Sequence, residues 1–243
     1  MKIGYKTHIG MVREHNEDSY LIIDKFYPKF CVFAVADGMG GHNAGEVASK
    51  MAINSIKKFF QENHNRDEYI FNVKNIKHLV EKINMEIFKR SQSLPIYNGM
   101  GTTLTLIISF DYKIYIVHIG DSRAYKINDN GIKQLTEDHS LVAELVKEGK
   151  ISEGDALIHP QKNVITRALG TEKNVSPDIY NYPLDSNDII LLCTDGLINS
   201  ISEGQIYDIL IKNIDFQQKA ELLINYANDN GGKDNITAIL FQS

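Results

Sequence analysis

The stretch FAVADGMGGH, residues Phe33–His42, decides the fold and raises the question of function. It begins as an apolar run typical of a buried strand and then breaks into an aspartate, Asp37, followed by glycine-rich chain. A single Asp-Gly after a strand is most often a turn, because both residues tolerate turn backbone angles. The same transition recurs along the chain, however, and this repetition indicates more than turn chemistry.

The recurrences place further carboxylates at strand ends. Asp195 follows the run IILLCT, Asp121 follows YIVHIG, and Asp234 lies just before the last predicted strand. If these strands pair in adjacent sheets, their ends bring several carboxylates within a few Å, where like charges repel by several kcal/mol. Arg123 and Lys233 are too few to neutralise the group. Hard divalent cations prefer oxygen ligands, so the sequence predicts Mg²⁺ or Mn²⁺ among these carboxylates.

Two other kinds of site fit this chain less well. The histidines are scattered without an H-E-x-x-H motif, and both cysteines, Cys31 and Cys193, lie in apolar runs, which disfavours zinc and indicates core residues in a reducing compartment. The loop DGMGGHNAG has Asn43 where a dinucleotide-binding loop needs its third glycine. The glycines instead let the backbone approach an ion, and the Gly38 carbonyl is a candidate ligand.

Composition sets the broad class. With 243 residues, 43% of them hydrophobic and 23% charged, the chain is typical of one globular domain, predicted over residues 1–243. The formal net charge of -5 argues against a nucleic-acid partner. Neither a signal-peptide core nor a membrane-spanning apolar run is present in the sequence, so we expect a cytoplasmic protein without membrane contact, with a monomer as the default.

Strand and helix patterns alternate in blocks. Short turns, FDYK and NDNG, join neighbouring strands and favour antiparallel hairpins. The predicted strands are 19–24, 29–36, 103–109, 113–119, 123–127, 188–194 and 236–241. The predicted helices are 44–62, 73–91, 140–148, 202–211 and 216–228. These patterns indicate an α+β fold of packed sheets with helices outside, and residues 147–163 are the most loop-like stretch, a candidate flap beside a site.

A cation lies near the first carboxylate in sequence. In VREHNEDSY, Arg13 precedes Asp18 by five residues, and Asp18 itself precedes a predicted strand. A guanidinium beside metal ions is suited to bidentate capture of a phosphoryl group. Alone, Arg13 would more simply form a surface ion pair, and only the surrounding carboxylates favour the phosphate-binding interpretation.

Eight short blocks then identify a resemblance, because they occur in one order over almost the whole chain. They are REHNEDS (13–19), VADGMGGHNAGEVAS (35–49), GTT (101–103), HIGDSRAY (118–125), LTEDHS (135–140), NVITRALG (163–170), LLCTDGL (191–197) and GGKDNIT (231–237). Together they resemble the PP2C-type (PPM) metal-dependent serine/threonine protein phosphatases, especially compact bacterial members. The resemblance implies a central β-sandwich of two antiparallel sheets flanked by helices, a four-layer αββα arrangement with a binuclear metal centre at one end.

The resemblance also implies roles for the carboxylates. Asp37 would bridge two Mn²⁺ or Mg²⁺ ions. Asp18 and the Gly38 carbonyl would complete the ligands of one ion, and Asp195 with Asp234 would complete those of the other.

Three further positions carry implied roles. Asp121 resembles a ligand of a third, weaker metal, and Arg13 resembles the phosphate-binding arginine. Many animal and plant members carry a histidine directly after the Asp-Gly, where this chain has Met39. His42 matches the bacterial pattern instead and is the candidate general acid, against the simpler interpretation of a solvent-contacting histidine at a helix start.

The implied activity is hydrolysis of phosphoserine and phosphothreonine in proteins. Two metals about 3.5–4 Å apart can hold a bridging hydroxide that attacks phosphorus in line, so no phosphoenzyme is needed. Phosphorylated proteins and a cognate bacterial serine/threonine kinase are the expected partners. Two alternatives stay open at this point: a non-catalytic binding module of the same fold, and a two-metal nuclease, which an acidic chain without a basic groove disfavours.

Overall fold

Two antiparallel sheets with helices on their outer faces form the structure, a computed structural model that describes residues 1–24, 26, 30–41, 44–65 and 72–242. The strands are β1 (Lys2–His8), β2 (Asp18–Ile23), β3 (Cys31–Met39), β4 (Gly101–Thr102), β5 (Leu104–Phe110), β6 (Lys113–Ile119), β7 (Arg123–Asn128), β8 (Gly131–Gln134), β9 (Asp178–Pro183), β10 (Ile189–Cys193) and β11 (Ile236–Gln242). The helices are α1 (Ala44–Asn63), α2 (Val73–Ser91), α3 (Leu141–Lys147), α4 (Glu153–Ile158), α5 (Asp195–Ile198), α6 (Glu203–Leu210) and α7 (Phe216–Asp229), with one 3₁₀ turn (Pro95–Tyr97).

Strand order is simple in both sheets. The first sheet has the order β1-β11-β10-β7-β8, and the second has the order β2-β3-β5-β6-β9 with β4 paired to β3. All of these pairings are antiparallel. The predicted α+β sandwich of two antiparallel sheets flanked by helices is therefore confirmed.

Three apolar clusters hold the four layers together. Between the sheets, Phe33 of β3 stacks on Phe241 of β11 with ring centroids 4.1 Å apart. Outside the second sheet, α1 and α2 contribute buried side chains such as Ile56 and Ile83, and outside the first sheet α6 and α7 do the same with side chains such as Leu223. Burial of each such side chain contributes about 1.5–3 kcal/mol to the stability of the fold. The packed core therefore fixes the relative positions of the strand ends.

A tight turn fixes the register of β5 and β6, and the register of β2 and β3 brings two carboxylates together. Asp111 and Tyr112 link β5 to β6 with φ values of 48° and 54°, the positive pair that a type I′ hairpin requires. The β2–β3 register places Asp18 directly opposite Asp37. Asp18 and Asp37, on consecutive strands, are thus neighbours by strand pairing alone.

Most predicted elements agree with the structure within two residues. The first predicted residue of the strand 29–36, Lys29, lies outside the described residues. Strands β1, β4, β8 and β9 and helices α4 and α5 were not predicted. The candidate flap 147–163 is not all loop, because α4 begins there with a capping box between Ser152 and Asp155.

Two smaller expectations concern burial. Cys31 and Cys193 are buried free thiols, as predicted for core residues. Among the described residues, no helix is long and apolar enough to cross a membrane.

Candidate active site

Five aspartates gather at one end of the sandwich, each placed there by a strand end. Asp18 and Asp37 are paired across β2 and β3, Asp121 follows β6 in a turn, Asp195 begins α5 directly after β10, and Asp234 precedes β11. Asp18 and Asp121 are buried, and the other three are half-buried. The predicted convergence of these carboxylates is therefore present in the structure.

Burial and mutual repulsion perturb four of these carboxyl groups. Burial raises the pKa of Asp37 well above its usual range, and the charges of Asp18, Asp195, Asp121 and Asp234 raise it further. Burial is also the largest cause of the raised pKa values of Asp18, to about 7, Asp121, to about 8, and Asp195, to about 6. Carboxylates that repel one another in this way raise the free energy of the folded state unless positive charge lies among them.

Three oxygens in the cluster are buried without a hydrogen-bond partner among the described residues. They are Asp18 Oδ1, Asp121 Oδ1 and Asp195 Oδ1. Buried polar atoms in folded proteins are nearly always partnered, so three orphaned carboxylate oxygens in one place need a common explanation. Oxygen donors in this number fit a hard divalent cation such as Mg²⁺ or Mn²⁺.

The carboxylates do not surround one point as the ligands of a bound metal ion would. Within the described part of the chain, no group of three or more His, Cys, Asp or Glu side chains has the arrangement of a preformed metal site. The carboxylates interact electrostatically across the end of the sandwich, and the orphaned oxygens mark where they would turn toward a shared ion. The assignment of individual ligands stays a proposal.

Two threonines hold Asp18 in place. Thr194 Oγ1 and Thr237 Oγ1 donate hydrogen bonds to Asp18 Oδ2 over 2.9 and 2.6 Å. With Oδ2 fixed in this way, Oδ1 is the oxygen left to bind another group. Neither threonine was predicted from the sequence, although each lies within three residues of a predicted aspartate ligand and so carried a positional signal.

The backbone around Asp37 is fixed by a second threonine pair. The Asp37 N–H donates to Thr103 Oγ1, and the Asp37 carbonyl accepts from the Thr103 N–H and from Thr102 Oγ1. A Cβ at Gly38 would lie 2.2 Å from the Gly45 carbonyl oxygen of α1, so only glycine fits next to this aspartate. The glycine that the sequence analysis nominated is therefore required for close packing, whether or not its carbonyl binds an ion.

Arg13 lies at the rim of the cluster, as the sequence predicted. Its Nη2 donates to Asp234 Oδ2 over 2.8 Å, and its side chain is 52% exposed. Asn235 fixes the same rim, because its side chain accepts from the Glu17 N–H and donates to the carbonyls of Ile9 and His15. Arg13 thus combines an exposed guanidinium with a carboxylate that points it toward the cluster.

The turn that carries Asp121 is clamped by a buried histidine. The Gly120 N–H donates to His139 Nδ1, and the Gly120 carbonyl accepts from the His139 N–H. Because Nδ1 accepts, the proton of a neutral ring is on Nε2, which donates to Asp178 Oδ2 over 3.2 Å. Neither His139 nor Asp178 was nominated from the sequence.

One nominated residue cannot be placed. His42, the candidate general acid, lies outside the described residues. Met39, which occupies the position directly after the Asp-Gly, ends β3 and is half-buried.

Comparisons with known proteins are consistent with this site. Residues 8–240 match the family described as Protein phosphatase 2C. The chain is 39% identical to the serine/threonine phosphatase stp of Listeria innocua, over 100% of this chain and 96% of that protein. Among solved structures, it superposes on the S. agalactiae serine/threonine phosphatase with a TM-score of 0.90 and 34% identity, covering 100% and 99% of the two chains. It also superposes on the catalytic domain of the serine/threonine protein phosphatase PstP in complex with two manganese ions, with a TM-score of 0.85 and 33% identity, covering 98% and 96%.

Proposed function

Because the chain belongs to the protein phosphatase 2C family and is a serine/threonine protein phosphatase, we propose that its five aspartates bind the divalent cations of a phosphate-ester hydrolase. The catalytic interpretation of the sequence is confirmed at the level of the enzyme class, in preference to a non-catalytic module or a nuclease.

The observation that carries the proposal is the set of orphaned oxygens on Asp18, Asp121 and Asp195. Asp37 lies opposite Asp18 and interacts with all the other carboxylates, so it is the best placed to bridge two ions. Asp18 and the Gly38 carbonyl would complete the ligands of one ion. We assign the other ion, together with a weaker third one, to the ligands that remain: Asp195, Asp234 and Asp121.

When bound, Mn²⁺ or Mg²⁺ supplies Lewis-acid charge and lowers the pKa of a coordinated water, which lets hydroxide attack phosphorus in line without a phosphoenzyme. The chain's own residues supply placement and protons. Arg13, exposed at the rim, binds phosphoryl oxygens and orients the ester. We assign to His42 the proton that goes to the departing serine or threonine oxygen.

The substrates are phosphorylated proteins, and we propose that a serine/threonine kinase of the same cell is the source of the phosphate. We propose that the flap, residues 147–163, selects among protein substrates, because Leu157 of α4 lines one cavity with Asp121 and Asp195. Leu157 and Ile158 are 73% and 83% exposed. Exposed apolar side chains near a site contact a peptide, whereas a small ester does not reach them. Shortening the flap is therefore expected to change peptide preference more than hydrolysis of a small ester.

The direct experiment is phosphate release from a phosphothreonine peptide by the purified chain. We expect no turnover after chelation and recovery on addition of Mn²⁺ or Mg²⁺. Asp129→Asn, a change in an exposed turn, is the matched control and should behave as the unmodified chain does. Turnover that survives chelation unchanged would rule out the cation assignment.

A further inference from the structure

A cavity of about 750 Å³ lies at the end of the first sheet opposite the carboxylates. Its walls come from the start of β1 and β10, the ends of β7 and β11, and the segment 211–215 that joins α6 to α7. We call it the lysine cavity, because Lys2 and Lys219 line it together with Lys212. Nothing in the proposed phosphatase reaction uses it.

Lys219 is an unusual residue in this wall. It is only 5% exposed, and its Nζ donates one hydrogen bond, to the Leu210 carbonyl at the end of α6. An ammonium has three donors and a full charge, and a carbonyl satisfies one donor without neutralising the charge. Among the described residues, the Nζ of Lys219 has a carbonyl and no carboxylate as its hydrogen-bond partner, although lysines are rarely buried without an ion pair.

Lys2 adds a second charge at the same place. The Nζ atoms of Lys2 and Lys219 lie 5.9 and 4.9 Å from the centre of the Phe216 ring. Burial, followed by the charge of Lys2, lowers the pKa of Lys219, so the two ammonium groups are close enough to repel each other. Lys2 itself donates to Gln242 Oε1, a neutral partner.

The acidic residues of the wall do not balance these charges. Asp215 caps α7 by accepting from the Gln218 N–H, and Asp129 is in the β7–β8 turn. Neither is ion-paired with Lys2 or Lys219 in the described part of the chain. The N-terminus of α7, a helix of 14 residues, adds the positive end of its dipole to the same wall.

We propose that the lysine cavity binds a small organic anion, with a carboxylate or phosphate group held between Lys219 and Lys2. The rest of the wall defines the body of the ligand, because Ile211, 55% exposed, offers apolar surface beside exposed amide side chains such as Asn213. A volume of about 750 Å³ is in the range of open clefts that bind a small molecule. The ligand is therefore an anionic head on an apolar or aromatic body.

The test is an NMR titration of the metal-free chain with benzoate and, separately, with phenylphosphonate, which a phosphatase cannot hydrolyse. We expect saturable shifts of the backbone amides of residues 211–217 with at least one probe, and the tighter probe distinguishes a carboxylate ligand from a phosphate ligand. Neutral benzamide should produce no such shifts. Equal shifts with benzamide, or shifts confined to the neighbourhood of Arg13, would overturn the proposal.

Three lysine-to-glutamine variants test which side chains bind the anion. Lys219→Gln should weaken binding of the tighter probe by about tenfold, because it removes a charged hydrogen-bond donor to the anion, and a factor of ten corresponds to about 1.4 kcal/mol. Lys2→Gln, at an exposed position where folding is not at risk, should weaken it several-fold. Lys133→Gln on β8, exposed and outside the cavity, is the matched control and should bind as the unmodified chain does. Unchanged binding in Lys2→Gln and in folded Lys219→Gln would contradict the assignment.

Discussion

Strand β10 carries an aspartate beyond each of its ends, and the two aspartates differ in how their oxygens are satisfied. Asp188, before the strand, is 1% exposed, forms an ion pair with Lys126, and accepts from Asn128 Nδ2 and the Asp185 N–H, each over 2.8 Å. Asp195, after the strand, accepts from Asn199 Nδ2 through one oxygen, and the other oxygen is orphaned.

The pKa values of Asp188 and Asp195 depend on their hydrogen-bond and ion-pair partners as well as on burial. Burial disfavours the charge of Asp188, but hydrogen bonds from Lys126 and Asn128 more than offset it and hold the pKa of Asp188 below its usual range. Burial, then the charge of Asp234, raises the pKa of Asp195 to about 6. A buried carboxylate with complete partners stabilises the fold, whereas one with unused oxygens is available to bind a ligand.

The largest expected effect tests the ligand-binding side of this comparison. Asp37→Asn should reduce turnover of a phosphothreonine peptide on the order of 1000-fold, because it removes the charge best placed to bridge two ions. The chain should remain folded by circular dichroism. Turnover within a few-fold of normal would refute the bridging role.

The next largest effect is expected at Asp188, the aspartate whose oxygens all have partners, and it is an effect on stability. Asp188→Ala should lower the free energy of unfolding by about 3 kcal/mol, because it leaves the Lys126 ammonium without its partner. Turnover measured below the unfolding transition should be nearly unchanged. Urea unfolding and a peptide assay on the same sample measure stability and turnover separately. A large loss of turnover in the folded variant would contradict a purely structural role for Asp188.

A smaller effect is expected at the turn clamped by His139. Asp121→Asn should reduce turnover about tenfold and raise the Mn²⁺ concentration needed for half activation, since Asp121 would serve a weaker third ion. Mn²⁺ titrations of this variant and of Asp37→Asn give the ranking directly. A loss as deep as that of Asp37→Asn would place Asp121 among the main ligands.

The smallest effect is a pH dependence of the metal-free chain. The pKa of Asp195 is about 6 in the folded chain, above the ordinary aspartate value of 3.8. Ionisation of Asp195 therefore does not destabilise the folded state below pH 3.8 and destabilises it to the full extent above pH 6. Asp195→Asn should therefore gain stability relative to the unmodified chain as pH rises from 4.5 to 7.5, by about 1 kcal/mol after allowance for partial exposure. Urea unfolding at the two pH values measures the gap, and a gap that narrows would give the wrong sign.

The sequence predicted the long elements and the acidic strand ends because both carry local patterns. The 3.6-residue period of α1 and α2 and the β-branched runs of β3, β5 and β10 are visible in a single sequence. Strand β1 was missed because its burial alternates only weakly, and α5 was missed because four residues carry no period.

Partner choice within the site could not be predicted. In DIILLCTD, nothing local shows that Asp188 finds Lys126 while Asp195 keeps an orphaned oxygen, because those partners come from distant strands. The threonines that hold Asp18 are likewise separated from it by 176 and 219 positions. Such contacts follow from sheet order, which a local pattern does not specify.

The position of β11 has a consequence for how the enzyme folds. This strand lies between β1 and β10, and its register with β1 pairs Gln242 with Lys2, so the sheet is completed by a contact between residues 240 positions apart. Such distant pairing closes slowly. Thr237 of β11 donates to Asp18, and Asp234 lies just before the strand, so the carboxylate cluster is assembled only once this long-range pairing has formed.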